Sequence, residues 1–228
     1  MRYLVVTAHP DDADYAIGGS VAVWVANGHE VIYLICTKGE AGLNSPEVNV
    51  EFAQTIRTDE QNTAAAILGV SQVEFLDYPD GILQASLELR RDITRVIRST
   101  RPDVVVTSDP LAVFYGNYIN HPDHRAVGEA TLAAVFPSAC TANIFPELLK
   151  EGLLPHCVKE VYIFWPSDPN LYIDISAVID RKISALRAHH SQVGGYDIEA
   201  DVRRVAAEVG KPKGMSYAEA FRRLVLSQ

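Results

Sequence analysis

The chain has 228 residues, 48% hydrophobic and 21% charged, the make-up of a globular protein long enough to bury one large core. Its formal net charge of -9 argues against nucleic acid or an anionic membrane surface as the main partner, since either would need a basic face. No apolar run approaches membrane-spanning length and Met1-Arg2 leads straight into an apolar segment, so a cytoplasmic protein with a single domain over 1–228 is expected.

The three cysteines, Cys36, Cys140 and Cys157, are odd in number, far apart and without a CxxC pair. That pattern predicts neither a disulfide framework nor a thiolate zinc cluster, and it suits a reducing compartment.

Residues 3–8 form an apolar run that ends abruptly in His9, Pro10, Asp11 and Asp12. This reads as a buried strand carrying one imidazole and two carboxylates to its C-terminal edge, where ligands bind in open α/β sheets. Pro10 stiffens the turn by fixing its own φ and holding His9 extended. Two readings of the cluster are open. It is a metal site with one carboxylate left over for acid–base work, or Asp11 or Asp12 caps a helix that begins near Ala13.

Residues 17–27 carry apolar side chains at helical spacing and stop at Gly28, a natural C-cap. A strand follows over 29–36, a loop rich in Gly, Asn, Ser and Pro over 38–49, and an amphipathic helix over 54–68 closed by Gly69. Residues 73–76 read as a strand, 87–99 as a helix, and 103–107 as a strand whose Val104-Val105-Val106 suits burial on both faces.

A loop containing Asp109, Tyr115, Tyr118 and Asn120 then leads to His121-Pro122-Asp123-His124. With Pro122 in the first turn of a helix over 122–135, both imidazoles lie at the mouth of a sheet strand, on the same edge as His9. Either histidine alone is more simply solvent-exposed or structural. Two histidine clusters at matching strand ends point instead to one site: His9, Asp12 and His124 give three ligands and leave a position for water, the arrangement of a hydrolytic zinc site.

A further strand over 161–165 completes an alternation that implies an α/β fold, a Rossmann-like, mostly parallel sheet with helices on both faces. Beyond residue 173 the pattern changes to helices over 177–190, 198–209 and 217–226, with the loop Gly210-Lys211-Pro212-Lys213-Gly214 before the last. A C-terminal helical extension of the same domain is expected.

Other short motifs follow in order: Thr37-Lys38-Gly39-Glu40-Ala41-Gly42, Arg57 with Glu60 and Leu68-Gly69, and Asp77-Tyr78-Pro79-Asp80-Gly81. Later come Lys182, Ala185-Leu186, His189 and Ser191-Gln192, then Ala218-Glu219-Ala220-Phe221. With Ala8-His9-Pro10-Asp11-Asp12 and the His121-Pro122-Asp123-His124 run, these motifs resemble the PIG-L/LmbE family of zinc-dependent N-acetylglucosaminyl deacetylases over nearly the whole chain.

The resemblance implies a hydrolase that removes the N-acetyl group from an N-acetylglucosamine-type or related N-acyl substrate. Attack by a metal-bound water would release acetate and a free amine without a covalent intermediate. It assigns His9, Asp12 and His124 as ligands of Zn2+, with Fe2+ or Co2+ as alternatives for the same donors, and Asp11 as the general base. His121 then faces the substrate, where a protonated imidazole would stabilise the oxyanion. Asp123 is read either as the partner of a charged imidazole or as a cap.

Arg57 and Asp80 would bind sugar hydroxyls; the simpler readings are a surface salt bridge from Arg57 to Glu60 and a tight turn at Asp80-Gly81. The implied partner is a small N-acylated molecule such as an amino-sugar conjugate, and small relatives assemble into trimers or hexamers.

Two positions depart from the family pattern. Ala13, followed by Asp14, stands where the A-H-P-D-D run usually continues with Glu, so a supporting hydrogen bond is absent or supplied differently. Ile119 occupies the place of a Tyr that polarises the carbonyl in some members, leaving Tyr115 or Tyr118 to reach in from the 111–120 loop. Aromatic residues of that loop, Phe114 included, are also where specificity would differ.

His189 is expected near the pocket, beside Gln192. Gly18-Gly19 lacks the G-x-G-x-x-G pattern and reads as close packing of a helix on the sheet rather than a phosphate cradle. No Ser or Cys lies in a nucleophile elbow, which counts against a serine hydrolase. The competing class is a non-catalytic metal- or sugar-nucleotide-binding α/β protein, against which stand Asp11 and His121, two residues that coordination does not need.

Overall fold

In the computed structural model, which describes residues 1–43, 45, 47–195 and 197–227, the chain begins β1 (Arg2–Thr7), α1 (Asp12–Ala26), β2 (Glu30–Thr37), α2 (Val50–Leu68) and β3 (Gln72–Tyr78). It continues α3 (Leu87–Thr100), β4 (Val104–Ser108), a small hairpin β5 (Phe114–Tyr115) and β6 (Tyr118–Ile119), α4 (Pro122–Ala133) and α5 (Glu147–Lys150). The last third holds β7 (Glu160–Phe164), β8 (Leu171–Asp174), α6 (Ile179–Arg187), α7 (His190–Val193), α8 (Ile198–Gly210) and β9 (Ala218–Val225).

The main sheet has the order β3-β2-β1-β4-β7-β9-β8. Its first five strands are parallel. From β1 the chain builds outward to β2 and β3, then crosses back to place β4 on the other side of β1. The β1/β4 junction is therefore the topological switch point, where a crevice opens beyond the carboxyl ends of the strands. His9 to Asp12 follow β1 directly, and His121 to His124 follow the loop after β4.

Alternation along the strands divides their side chains between two cores. Leu4, Val6, Ile32 and Leu34 meet Leu89 and Ile93 of α3 and Val127 of α4 on one face. Tyr3, Val5, Val31 and Tyr33 meet Ile17 and Val21 of α1 and Leu68 of α2 on the other. Each such aliphatic side chain contributes about 1.5–3 kcal/mol on full burial. A third, smaller core joins Ile179 and Ile183 of α6 to Ile198 and Val202 of α8. No helix among the described residues is long and apolar enough to cross a membrane.

Three expectations need correction. The helix expected over 217–226 is the strand β9, antiparallel to both β7 and β8. Ala, Glu, Arg and Leu favour a helix there, but the segment fills a slot between two strands and drives Phe221 into the core with 0% exposure, so tertiary pairing overrides local propensity.

Cys140 and Cys157 form a disulfide with a Cα–Cα separation of 4.7 Å. The chain after α4 folds back so that the His156 N–H donates to the Ala139 carbonyl at 2.9 Å, which brings the two thiols together. Gly18 and Gly19 do serve close packing, but not against the sheet: a Cβ on Gly19 would meet Ile175 Cδ1 at 2.7 Å, and one on Gly18 would meet Lys182 Cγ at 3.4 Å.

Candidate active site

Asp11 sits at the N-cap position of α1 with φ 84°, and its side chain makes no capping bond. A left-handed backbone is unfavourable for a residue with a Cβ, and here it turns the carboxyl out of the cap and into the cleft. The cap reading therefore fails for Asp11. Asp12 opens the helix, and its carboxylate accepts the His9 backbone N–H at 2.8 Å.

His9, Asp12 and His124 are all buried, and their donor atoms lie within 4.8 Å of one another. His124 Nε2 faces Asp12 Oδ1 at 3.0 Å, and His9 Nδ1 faces Asp12 Oδ2 at 3.5 Å. The opposite ring nitrogens are already committed. Asn120 Nδ2 donates to the Ala112 carbonyl at 2.8 Å, so its amide oxygen is the atom that meets His124 Nδ1, at 3.0 Å, and that nitrogen carries the proton.

His9 Nε2 lies 2.9 Å from Asp80 and 3.3 Å from Asp123, two acceptors that require its proton. Neutral imidazoles held this way both turn lone pairs toward the Asp12 carboxylate, an arrangement that a cation resolves. The donor set suits Zn2+, and Fe2+ or Co2+ as well. A second trio, His9, Asp80 and His121, also lies within 4.8 Å, but it draws on the His9 nitrogen that Asp80 and Asp123 already hold.

Asp123 is fully buried and accepts the N–H groups of Gly81 at 2.8 Å and Leu83 at 3.1 Å. Its imidazole partner is thus His9. The cap of α4 is instead His121, whose Nδ1 accepts the Asp123 backbone N–H at 3.2 Å. Burial holds His121 below the usual histidine range. The neutral ring, protonated on Nε2, is favoured over the protonated imidazole expected from the sequence.

Arg57 is buried and bonds to Asp11 Oδ2 at 3.1 Å, the Pro10 carbonyl at 2.6 Å and the Gly39 carbonyl at 2.9 Å. It is not a surface partner of Glu60, whose carboxylate accepts from Ser191 N and Oγ at 2.7 and 2.6 Å. Burial pushes the Asp11 carboxyl up to about 6, against the pull of Arg57.

The support expected from a Glu at position 13 comes from the next residue. Ala13 packs into the core, while Asp14 accepts from Gln61 Nε2 at 2.8 Å, His189 Nε2 at 2.8 Å and Tyr33 Oη at 3.2 Å. Gln61 Oε1 in turn accepts the Asp11 backbone N–H at 2.8 Å.

Two cavities flank the histidines. A polar cleft of 240 Å³ is lined by His9, Asp11, Arg57, Asp80, His121 and Gln192. Asp80 lies in its wall with Oδ1 on His9 and Oδ2 accepting the Ala41 N–H at 2.9 Å. A chamber of 580 Å³ on the His124 side is walled by Tyr15, Tyr115, Tyr118 and Trp165. The Tyr115 hydroxyl donates to the Trp165 carbonyl at 3.1 Å, which directs it away from a substrate carbonyl. Sequence reading missed Gln61 and Trp165, which stand far from either histidine motif, and gave no role to Asn120, whose place directly before His121 was the available signal.

A buried cluster of two histidines and one aspartate at the switch point of a parallel sheet, with a further carboxylate beside it, defines a metal-dependent hydrolase. The chain belongs to the PIG-L family, described as GlcNAc-PI de-N-acetylase, whose sequence profile matches residues 4–135. It is 35% identical over 225 residues to diacetylchitobiose deacetylase of Thermococcus kodakarensis, covering 97% of this chain and 82% of that one. It is 29% identical to a probable N-acetyl-alpha-D-glucosaminyl L-malate deacetylase 2 of Bacillus anthracis, covering 83% of this chain and 80% of the relative. Among solved structures, N,N'-diacetylchitobiose deacetylase of Pyrococcus horikoshii, complexed with its inhibitor MPG, superposes with a TM-score of 0.91 at 30% identity, covering 98% of this chain and 84% of the other.

Proposed function

We propose that this protein is a divalent-metal-dependent N-deacetylase that hydrolyses the acetamide of an N-acetylglucosamine-type sugar. The observation that carries the reading is the convergence of two oriented imidazole lone pairs on Asp12, beside an Asp11 carboxylate that coordination does not use. The substrate class comes from the relatives, which are named for deacetylation of diacetylchitobiose and of an N-acetyl-glucosaminyl malate.

His9, Asp12 and His124 would hold the cation, Zn2+ first and Fe2+ or Co2+ as alternatives, and a cation there supplies Lewis acidity and a water that ionises near neutral pH. Asp11, raised to about 6, is basic enough to take a proton from the attacking water and acidic enough to pass it to the leaving amine. His121 donates from Nε2 to the carbonyl oxygen as that oxygen gains charge. Arg57 and Asp80, in the wall of the polar cleft, face the sugar hydroxyls, with Asp80 accepting through lone pairs that His9 and Ala41 leave unused. The non-catalytic alternative accounts for the three ligands but not for the placement of Asp11 and His121.

The same proposal takes 1–228 as one domain with no nucleic-acid or membrane partner, assembled as a trimer or hexamer. Exposed Leu111, Phe114 and Ile119 beside the site are apolar surface that such an assembly would cover. It also takes the protein as cytoplasmic; the Cys140–Cys157 disulfide is the observation against that, and trapping of thiols in freshly lysed cells decides it.

The functional test is removal of metal with a chelator, reloading with Zn2+, Fe2+ or Co2+, and measurement of amine release from N-acetylglucosamine and N,N'-diacetylchitobiose. Activity that vanishes and returns with metal is expected. Metal-replete protein that releases no amine from any N-acetylated sugar overturns the reading.

A further inference from the structure

His189 is fully buried, yet it lies outside the proposed ligand set, and its side chain does not cap α7, whose first position it precedes. Among the described residues its Nδ1 meets no hydrogen-bond partner. A leucine would fill the same place without burying an unpaired nitrogen, which costs free energy. Packing therefore does not account for the imidazole. What accounts for it is Nε2, 2.8 Å from Asp14 Oδ2; a carboxylate only accepts, so Nε2 carries the proton and donates.

Asp14 is a buried carboxylate held by three donors. Its Oδ2 accepts from His189 and from Gln61 Nε2 at 2.8 Å, and its Oδ1 accepts the Tyr33 hydroxyl at 3.2 Å. Because Asp14 takes the amide nitrogen of Gln61, the amide oxygen is left for the Asp11 N–H, at 2.8 Å. Arg57 stands four residues before Gln61 on α2, on the same face of that helix, and donates to the Pro10 carbonyl at 2.6 Å. The Pro10 carbonyl and the Asp11 N–H are the two ends of one planar peptide. Helix α2 thus grips that peptide from both ends, and the residue that follows it is Asp11 at φ 84°. Such a conformation persists in a residue with a Cβ where the surroundings enforce it.

We infer that His189 is a positioning residue for Asp11: through Asp14 it fixes the Gln61 amide, and Gln61 with Arg57 clamps the Pro10–Asp11 peptide in the strained form that aims the carboxyl into the cleft. The inference rests on the deacetylase reading, in which Asp11 is the base. Without the His189 N–H the Asp14 carboxylate keeps two of its three donors and is free to turn. The Gln61 amide then loses its fixed orientation, and an amide turned over sets its own N–H groups against the Asp11 N–H. His9, Asp12 and His124 lie outside this chain of contacts, so the site for the cation is unaffected.

The test measures kcat, KM and bound metal in metal-loaded protein with N,N'-diacetylchitobiose and N-acetylglucosamine. His189→Leu is expected to lower kcat by up to roughly a hundredfold, the effect of misplacing a reacting group by about 1 Å, with KM and metal content at the parent values. His189→Gln, whose amide nitrogen replaces Nε2 as a donor to Asp14 but cannot relay a proton, is expected to restore most of the rate. In the Gln61→Met protein, where the connection to Asp11 is already cut, His189→Leu is expected to cost nothing further. Should His189→Leu not fold, His189→Asn, whose shorter side chain withdraws the donor from Asp14, replaces it in both backgrounds. Losses that multiply in the double variant, a His189→Gln protein as slow as His189→Leu, metal content that falls with kcat, or a parent rate in His189→Leu overturns the inference while leaving the deacetylase reading in place. Absence of amine release by the metal-loaded parent from every N-acetylated sugar overturns that reading and this inference with it.

Discussion

Arg57 donates from one guanidinium nitrogen to the Asp11 carboxylate at 3.1 Å and to the Pro10 carbonyl at 2.6 Å. One cation thus holds both the charge and the backbone of the proposed base. Its positive charge lowers the Asp11 carboxyl against burial, which raises it. A base acts when deprotonated, so loss of Arg57 moves the acid limb of kcat/KM to higher pH. For Arg57→Gln a shift of about one unit is expected, tenfold in rate on that limb. A limb that stays in place or moves to lower pH contradicts the assignment.

Asn120 fixes the His124 proton on Nδ1 and so turns Nε2 toward Asp12, where the proposed metal would sit. Asn120→Ala is expected to weaken metal binding roughly 10- to 100-fold, the usual effect of removing a partner that orients a ligand, measured by chelator competition. His124→Ala should lower metal content far more than His121→Ala. Equal loss in the two would contradict the division of roles.

Gln61 connects the Asp11 backbone to the Asp14–His189 pair. Gln61→Met keeps the volume and removes both bonds. Metal content should hold while kcat falls by up to roughly a hundredfold, as expected when a reacting group is misplaced by about 1 Å. A fall in metal content in step with kcat would show that Gln61 serves the ligands instead.

Lys182 and Glu219 form a buried ion pair at 2.6 Å, and Glu219 also accepts the N–H groups of Gly19 and Ser20 in α1 at 3.0 and 2.6 Å. Lys182→Met strands a buried carboxylate and should lower stability by about 3–5 kcal/mol, read from urea unfolding. Adding Glu219→Gln should recover part of that loss. An unchanged midpoint for the single variant would mean that the pair carries no net stability.

The two segments of the proposed metal site were legible because each follows an apolar strand and begins a helix, which places them on one sheet edge whatever the loops between them do. The direction of each imidazole was not legible. It depends on Asn120, Asp80 and Asp123, and on the turn at Gly81 that delivers an N–H to Asp123. The same holds for Asp14, whose partners are Gln61 of α2 and His189 in the turn between α6 and α7, and for Trp165, which meets Tyr115 only because the β5–β6 hairpin folds back over the strand end. β9 was misread for a physical reason: its residues favour a helix in isolation, and only the vacant edges of β7 and β8 favour a strand. The disulfide carried no sequence signal, since its cysteines meet through a reversal of the chain after α4.

The most direct measurement pairs metal content with hydrolysis in Asp11→Asn. The substitution keeps the size of the side chain and leaves His9, Asp12 and His124 untouched. Metal binding equal to the parent protein, with amine release from the N-acetylated sugar lowered by roughly 10²- to 10⁴-fold, is the expected result. Hydrolysis at the parent rate would contradict the claim that Asp11 performs the proton transfer beside a metal held by those three residues.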